Sequence, residues 1–353
     1  MPVPRTMKAV LLTGFGGPEK LDYREDVPVP EPQAGEVLVE VAAAGINNTD
    51  IWTREGAYGQ EDDAGAVGGW RREPFVFPRI QGGDIAGRIV VVGQAVPASR
   101  IGERVLVDPV LYTDTGDGLV DASLIGSERD GGFAEYVAVP AANARTIHTT
   151  LSGSELATFP IAYITAERML NRARVAAEET VFITGASGGV GSALLQLARA
   201  RGARTVALVG PGKEEQAHSI GAEAVIIRGS GELAGAVGSA LGGRAIDVVA
   251  DLVGGSMFSE LLSLLRSEGR YVSAGAIAGP IVELDLRTLY LKHLELIGST
   301  MGTRKEFTDL VGHIESGRIK PLLAATYPLK DIARAQQDFK KKAFFGKLVL
   351  LPR

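Results

Sequence analysis

Cysteine is absent from the 353 residues, and histidine occurs only four times. The lack of cysteine excludes disulfide bonds, thiolate nucleophiles and thiolate ligands for zinc or iron–sulfur clusters. None of the histidines is paired at the spacing of metal ligands: His148, His218, His293 and His313. We therefore predict that the protein binds no metal ion.

An excess of basic charge and a long apolar run are also missing. The formal net charge is −5, and the densest basic stretch, Lys340–Lys342, is typical of a solvated loop. A nucleic-acid partner is therefore not expected. No apolar run approaches the roughly 18–20 residues of a membrane span, and Met1–Val10 lacks the apolar core of a signal peptide. We expect a cytoplasmic protein that does not associate with membranes.

Length and composition predict two folded domains. Hydrophobic residues make up 45% of the chain and charged residues 22%, as in ordinary globular proteins, and the length exceeds that of a single hydrophobic core. From Lys8 to about Val139, short apolar runs between glycines and prolines predict an antiparallel, partly barrel-like domain. The clearest runs are Glu36–Val41, Ile89–Val92 and Arg104–Val107. From about Leu156, strands alternate with amphipathic helices, which is typical of a parallel sheet covered on both faces.

The second region contains six predicted strands and one particularly clear helix. The strands are Thr180–Thr184, Thr205–Val209, Val225–Arg228, Asp247–Asp251, Tyr271–Ser273 and Leu294–Ile297. Apolar residues at helical offsets indicate the first helix: Val190, Ala193, Leu194, Leu197 and Ala198. After Gly302 we predict a helix over Lys305–Ser316 and a closing strand over Lys347–Leu350.

A glycine-rich turn, Gly185–Gly191, joins the first strand to this helix. Ala186, Gly188 and Gly191 take the three positions of the G-x-G-x-x-G pattern. Small residues let the backbone approach a pyrophosphate, while amide groups at the helix start point toward it. Because the turn follows a strand, opens a helix and heads a series of β/α units, we predict dinucleotide binding rather than a purely structural turn. The residues of the turn assigned to the site are Ala186, Ser187, Gly188, Gly189, Val190 and Gly191.

The end of the second strand favours NADP over NAD. NAD sites generally carry an acidic residue about 20 residues after the turn, whereas this strand is followed by Gly210-Pro-Gly-Lys213. Lys213 could neutralise a 2′-phosphate, or it could be an ordinary cation at the start of a helix. We predict that NADP is the preferred coenzyme and that Gly210 and Lys213 belong to its site.

The polar, glycine-rich stretch Arg54–Arg72 predicts a long loop. It contains Glu61–Asp63 and Trp70–Arg72, and it is either a solvated surface excursion or a substrate lid. As part of a lid, Arg71 and Arg72 could bind an anionic substrate such as an acyl-CoA phosphate. Otherwise the two arginines keep the loop solvated.

Five motifs together resemble the medium-chain dehydrogenase/reductase superfamily, specifically its zinc-independent quinone oxidoreductase-like branch. They span nearly the whole chain: Pro30–Val39, Gly45–Asp50, Gly131–Val137, Gly185–Gly191 and Gly346–Leu350. The resemblance implies an α/β protein with a GroES-like, β-rich catalytic domain over residues 1–155, completed by residues 303–353. It implies a Rossmann domain with a doubly wound parallel sheet over residues 156–302. A homodimer is also implied, with Leu294–Ser299 as the pairing edge strand.

The resemblance also concerns zinc. Zinc-dependent members carry a Cys-His pair where this chain has Asn47 and Asn48, and a further histidine ligand where it has Gly83. The lobe that holds a structural zinc in such relatives would fall between Asp108 and Asp130, which contains no cysteine here. An enzyme without metal is therefore expected.

Without a metal, hydrogen-bond donors must stabilise the charge that hydride transfer places on the acceptor. By resemblance, Asn47 and Tyr58 line the substrate cleft, Trp52 stands where a tyrosine is usual, and Thr49 takes the position of a proton-relay hydroxyl. Tyr58 is a candidate proton donor because a phenol is protonated at neutral pH. Alternatively, Asn47 satisfies backbone groups in a turn, Trp52 belongs to the core, and Tyr58 lies on a flexible loop. Asp50 is expected to hold the local turn.

Further coenzyme contacts are predicted at strand ends, where ligands of such sheets bind. These residues are Val253, Gly275, Ala276 and Ile277, and Thr165 is also assigned to the coenzyme site. Lys347 resembles a coenzyme contact of the family, or it is a cation at the rim.

We predict an NADPH-dependent oxidoreductase that transfers hydride to a quinone or an α,β-unsaturated carbonyl compound without a metal. These acceptors spread the new charge onto an oxygen distant from the attacked carbon, so they are easier metal-free acceptors than plain ketones. The alternatives are a zinc-independent alcohol or aldehyde oxidoreductase with Thr49 as relay, and a catalytically idle NADPH-binding protein.

Overall fold

The computed structural model describes residues 3–58, 75–113, 119 and 121–353, and the chain divides into two compact units. The β-rich unit comprises Met1–Ile161 and Thr303–Arg353, and the α/β unit comprises Ala162–Gly302. Within the described ranges, no helix is both long enough and apolar enough to cross a membrane.

The first segment of the β-rich unit is composed mostly of strands. They are β1 Thr6–Leu12, β2 Leu21–Pro28, β3 Glu36–Gly45, β4 Arg79–Ile80, β5 Asp84–Val92, β6 Arg104–Val107, β7 Val110–Leu111, β8 Ser123–Leu124, β9 Tyr136–Pro140 and β10 Ala144–Thr146. The helices of this segment are α1 Asn48–Glu55 and α2 Gly153–Leu156, followed by α3 Pro160–Arg172, in which the division between the units falls. Single turns of 3-10 helix cover Pro18–Lys20 and Ala98–Arg100.

The α/β unit alternates strands and helices, as its sequence predicts. Its strands are β11 Thr180–Ile183, β12 Arg204–Val209, β13 Ala224–Ile227, β14 Ile246–Asp251, β15 Leu265–Ser273 and β16 Glu295–Gly298. Its helices are α4 Gly189–Ala200, α5 Glu214–Ser219, α6 Leu233–Leu241, α7 Phe258–Leu264 and α8 Leu286–Leu291, with a 3-10 turn at Gly255–Met257. The chain then returns to the β-rich unit as α9 Arg304–Glu315, β17 Leu323–Pro328, a 3-10 turn at Leu329–Asp331, α10 Ile332–Lys341 and β18 Lys347–Leu351.

The main sheet of the β-rich unit is built around the long apolar strand β3. Among the described residues its strand order is β10-β6-β5-β3-β18-β17, and β9 also pairs with β3. The pairs are antiparallel except β17 with β18. Val39 and Val41 of β3 and Ile85 and Ile89 of β5 are fully buried in its core. Strand β18 therefore joins the C-terminal segment directly to the centre of the N-terminal sheet.

The parallel sheet of the α/β unit has the strand order β13-β12-β11-β14-β15-β16, and the structure describes every residue of this unit. The chain leaves β11 toward β12 on one side and later returns to β14 on the other. The carboxyl ends of β11 and β14 therefore border the switch point at which open α/β sheets bind ligands. The α/β class and the doubly wound parallel sheet predicted from the sequence are confirmed.

Five of the six predicted strands agree with the structure to within one residue at each end, but β15 begins at Leu265 rather than Tyr271. The intervening residues, Arg266–Arg270, are polar or glycine and conceal the strand in the sequence. Both arginines of this segment have tertiary partners: Arg266 Nε donates to Asp247 Oδ1 at 2.5 Å, and Arg270 donates to the Glu179 carboxylate.

The predicted loop Arg54–Arg72 is wrong at its start. Arg54 lies in the last turn of α1, and its side chain is only 1% exposed. Its guanidinium donates to Gln336 Oε1 at 2.9 Å and to the Gly16 carbonyl, and these long-range partners cannot be inferred from local polarity. Glu55 ends the same helix, and the part of that interpretation that concerns Glu61–Asp63 and Trp70–Arg72 falls on residues 59–74, outside the described ranges.

Candidate functional site

The turn between β11 and α4 has the geometry of an anion-binding backbone. Gly185 has a φ of 56°, in the left-handed region. Gly188 is the N-cap residue of α4 and has no side chain that could bond the first amides of the helix. A Cβ at Gly191 would lie 2.3 Å from the Gly185 carbonyl oxygen and 2.6 Å from the Ala186 Cα, so only glycine fits. The first amide groups of a helix have no partner within it. These bare amides form a cradle that fits the pyrophosphate of a dinucleotide.

Of the predicted residues beyond β14 and β15, Val253 lies beside this turn. The Val253 side chain lies 3.4 Å from the position of a Cβ at Gly185. A Cβ at Gly275 would lie 3.0 Å from the Leu252 carbonyl oxygen, and a Cβ at Gly254 would lie 3.3 Å from the Ala276 Cα, so Gly275 and Ala276 lie against the segment after β14. The next residue in the chain, Ile277, has an exposed side chain. Thr165, on α3, is buried.

Sequence reasoning missed the carboxylate that orders this edge of the sheet. Asp251, at the end of β14, is fully buried and accepts hydrogen bonds from the Thr184 and Tyr271 hydroxyls, each at 2.5 Å. The backbone amides of Val253 and Gly254 also donate to it, at 2.9 and 3.0 Å. Burial and the charge of Asp251 raise the pKa of the Tyr271 phenol, which stays protonated as a donor. In the sequence, this arrangement is indicated by a polar residue at the carboxyl end of each of two buried strands.

A second missed residue, Arg228, lies just beyond β13. Lys213 Nζ donates to Ser187 Oγ at 3.3 Å, so Lys213 and the glycine-rich turn meet in the structure. Burial lowers the pKa of Lys213, and the positive charge of Arg228 lowers it further, which indicates that the two cations are close. Gly210 has open space at its Cβ position. A pocket beside these residues is lined by Leu208, Ile226–Leu233, Ala236, Met257 and Glu260.

In the β-rich unit, Asn47 belongs to a buried polar cluster. Its Nδ2 donates to Asp84 Oδ2 at 2.8 Å, and its Oδ1 accepts a hydrogen bond from Lys347 Nζ at 2.5 Å. Lys347 Nζ also lies 2.7 Å from Asp84 Oδ2 and donates to the Ile46 carbonyl oxygen at 2.9 Å. The side chains of Lys347 and Asp84 are 3% and 0% exposed. The lysine predicted as a coenzyme contact is therefore held inside the β-rich unit, and a direct contact stays a prediction.

Asp50 closes the first turn of α1. Its Oδ2 accepts a hydrogen bond from the Asn47 backbone amide at 2.8 Å, as expected of a residue that holds the turn. Burial raises the pKa of Asp50 to about 7, and the negative charge of Asp84 adds to the rise. The hydrogen bond from the Asn47 backbone amide and the positive charge of Lys347 lower the pKa of Asp50 and so reduce the rise.

Three of the candidate catalytic residues form a small group on and beside α1. The Tyr58 hydroxyl donates to Thr49 Oγ1 at 2.7 Å, and the Tyr58 ring contacts the edge of Trp52 with centroids 5.6 Å apart. Burial raises the pKa of Tyr58 to about 12, so the phenol keeps its proton throughout the neutral range. Thr49 and Trp52 are both half-buried rather than part of the core.

The position of Gly83 offers no room for a ligand side chain. A Cβ there would lie 2.8 Å from Ile161 Cδ1 and 2.9 Å from the Ile125 carbonyl oxygen. Within the part of the chain that the structure describes, no three histidine, aspartate or glutamate side chains are grouped so that they could hold a metal.

Comparisons with known proteins match both units. Residues 33–149 match the alcohol dehydrogenase GroES-like domain family, and residues 189–316 match a family described as zinc-binding dehydrogenase. The GroES-like assignment predicted from the sequence is thereby confirmed.

Relatives cover nearly the whole chain. Mouse quinone oxidoreductase is 32% identical over 98% of both chains. A solved structure from Sinorhizobium meliloti 1021, provisionally named an alcohol dehydrogenase, is 61% identical with a TM-score of 0.96, over 99% of this chain and 97% of that one. A 2-octenoyl-CoA carboxylase reductase, solved with NADP and 2-octenoyl-CoA, is 28% identical with a TM-score of 0.87, over 99% of this chain and 88% of that one.

The raised pKa of Asp50 predicts how stability depends on pH. Unfolded, the carboxyl titrates near pH 3.9, whereas the folded protein retains the proton up to about pH 7. The folded state therefore binds the extra proton between these values, and its stabilising contribution is lost as pH rises toward 7. Between pH 5 and 7.5, the free energy of unfolding of the wild type should fall by about 2 kcal/mol more than that of Asp50→Asn.

Urea denaturation at the two pH values measures this difference. Asp22→Asn, at an exposed carboxylate, is the matched control and should keep the pH dependence of the wild type. Equal pH dependence in Asp50→Asn and the wild type would show that Asp50 does not titrate in this range.

Proposed function

The chain belongs to the medium-chain dehydrogenase/reductase superfamily and is an NAD(P)H-dependent oxidoreductase, and from this premise we propose that it uses NADPH to reduce a quinone or an α,β-unsaturated carbonyl compound without a metal ion. The observation that carries the proposal is the environment of Asn47. The Asn47 amide is engaged by Lys347 and Asp84, and position 83 cannot accommodate a ligand side chain. The substrate oxygen must then be stabilised by hydrogen-bond donors.

This set of donors suits an acceptor that delocalises charge. A bound reduced nicotinamide supplies hydride, and the residues of this chain must hold the acceptor and meet its developing charge. Asn47 contributes an amide N–H, and Thr49 contributes a hydroxyl that receives a hydrogen bond from Tyr58. Such neutral donors provide less stabilisation than a Lewis-acid metal, which favours quinones and enones over plain ketones. The names of the mouse relative and of the octenoyl-CoA reductase agree with these two acceptor classes.

A second candidate function is oxidation of an alcohol or reduction of an aldehyde. The Tyr58–Thr49 hydroxyl pair favours it, because two linked hydroxyls can pass a proton to or from an alkoxide. The provisional name of the Sinorhizobium meliloti protein also favours it.

An acceptor panel distinguishes these functions. Purified protein is mixed with NADPH and either 1,4-benzoquinone, 2-cyclohexenone or benzaldehyde, and oxidation of the coenzyme is followed by absorbance. We expect turnover of the quinone or the enone at least about tenfold faster than of the aldehyde. Turnover of the aldehyde alone would establish the second candidate, while saturable NADPH binding without turnover would indicate an idle coenzyme-binding protein. Failure to bind either reduced coenzyme would overturn the redox function altogether.

The preference for NADPH over NADH rests on the cations beside the glycine-rich turn. Lys213 is linked to Ser187, Arg228 lies close to it, and β12 is followed by no carboxylate before Lys213. Two neighbouring cations repel one another, and the dianionic 2′-phosphate of NADPH would relieve that repulsion. The hydroxyl of NADH cannot do so.

We expect Lys213→Ala combined with Arg228→Ala to raise the KM for NADPH at least about tenfold, since each charged hydrogen bond contributes about 1.5–3 kcal/mol. The KM for NADH should change less than about twofold. Arg244→Ala, which removes an exposed cation paired with Glu223 in the same unit, is the control and should leave both values unchanged. An equal rise for both coenzymes would contradict the assignment of the 2′-phosphate to these cations.

The homodimer is proposed from the outer edge of the parallel sheet. Strand β16 is an edge strand, and the residues leading to it expose large apolar side chains, namely Ile281, Leu286, Tyr290 and Leu291. A second copy that pairs strand to strand by twofold symmetry would satisfy the free backbone groups and cover this apolar surface.

Leu291→Glu places a charge on that surface, so we expect it to convert a dimer into a monomer. Light scattering after size exclusion measures the mass, and coenzyme binding reports that the fold is intact. Ile101→Glu, at an exposed apolar residue of the β-rich unit, should leave the dimer unchanged. A wild-type protein with the mass of one chain would refute the proposal.

A further inference from the structure

The ion pair between Lys347 and Asp84 is buried, and for this reason it contributes little to the net stability of the fold. Both side chains are almost inaccessible, and the desolvation of two charges offsets most of their attraction. The pair nevertheless has a complete set of partners, and Gly45 leaves the space that it needs. A Cβ at Gly45 would lie 2.8 Å from Asp84 Oδ2.

One hydrogen-bond donor of this cluster has no acceptor within it. Lys347 uses its three N–H groups on Ile46, Asn47 and Asp84. Asp84 Oδ1 accepts from the Ile161 amide at 2.6 Å, and Oδ2 accepts from Asn47 and Lys347. An asparagine amide has two N–H groups, and Asp84 receives only one of them. The second N–H of Asn47 has no acceptor among the described residues.

We propose that Lys347 and Asp84 are positioning residues, which fix and polarise the Asn47 amide so that its second N–H donates to the substrate oxygen on which charge develops. This inference rests on the proposed reductase function. Lys347 bonds the amide oxygen and Asp84 bonds the amide nitrogen, so the amide can neither rotate nor flip. A cation on the oxygen draws electron density from the amide and strengthens donation by its N–H. A donor held in this way costs no reorganisation when the charge appears.

On this inference Lys347 acts on Asn47, as an alternative to the coenzyme contact that the family resemblance implies. A lysine that reached out to a phosphate would give up its bonds to Asn47 and Ile46 and would leave Asp84 as a buried, unpaired charge. Removing one partner of a buried pair typically costs several kcal/mol, comparable with what a contact to one phosphate would return.

The test is a double-mutant cycle read by two independent measurements. Lys347→Met, Asn47→Ala and the double variant are assayed for kcat with the acceptor that the wild type reduces best. The NADPH Kd is measured separately by fluorescence titration. Each single variant should lower kcat by about tenfold or more, and the double variant should be no slower than Asn47→Ala. The NADPH Kd should stay within about twofold of the wild type.

A charge-neutral variant covers the case in which Lys347→Met does not fold. Asp84→Asn combined with Lys347→Met removes both charges and should fold, since no unpaired ion remains. Circular dichroism and saturable NADPH binding establish the fold, and kcat should be about tenfold or more below that of the wild type. Lys292→Met, which removes an ammonium bonded to the Ser263 and Leu265 carbonyls in the α/β unit, is the control and should retain wild-type kcat.

Three results would overturn the positioning role. They are a tenfold rise in NADPH Kd in the Lys347 variants, additive losses in the cycle, and wild-type kcat in the charge-neutral variant. The proposed function fails separately, in the wild-type acceptor panel: an enzyme that reduces only aldehydes would refute it and still allow the cycle to be measured. A wild-type protein without any turnover would overturn both.

Discussion

The β-rich unit is assembled from two chain segments, Met1–Ile161 and Thr303–Arg353, and the buried contact between Lys347 and Asp84 joins them beside Asn47. Lys347 begins β18, the strand that pairs with β3, while Asp84 begins β5 on the other side of β3. Two charges in an apolar interior must meet partners or be neutralised. Asn47, the residue before α1, is one of those partners.

The same principle operates in the α/β unit with different chemistry. There the buried carboxylate of Asp251, at the end of β14, accepts hydrogen bonds from a hydroxyl and from backbone amides. These bonds hold the turn at Val253 and Gly254. The glycine-rich turn opposite it presents bare helix amides because nothing larger than hydrogen fits at Gly191. In each unit, a buried carboxylate is surrounded by hydrogen-bond donors of that unit.

The two clusters offer different chemistry. The α/β unit offers backbone amides and two neighbouring cations, Lys213 and Arg228, which suit the phosphates of a dinucleotide. The β-rich unit offers neutral donors, Asn47, Thr49 and Tyr58, and its buried Lys347 and Asp84 are paired with each other. Neutral, fixed donors suit an acceptor whose charge is delocalised more than they suit an isolated alkoxide.

The sequence by itself determined the elements whose signals are local. Hydrophobic periodicity predicted α4 and most strands of the parallel sheet, and the spacing of Gly188 and Gly191 predicted the turn, because backbone sterics act over a few residues. Only the tertiary structure decided which polar residues work together. Lys347 lies 300 residues from Asn47, and Arg54 lies 282 from Gln336, and no local pattern encodes such pairs. Their partners are selected by burial, since a desolvated charge is tolerated only where the fold brings its complement within hydrogen-bond distance.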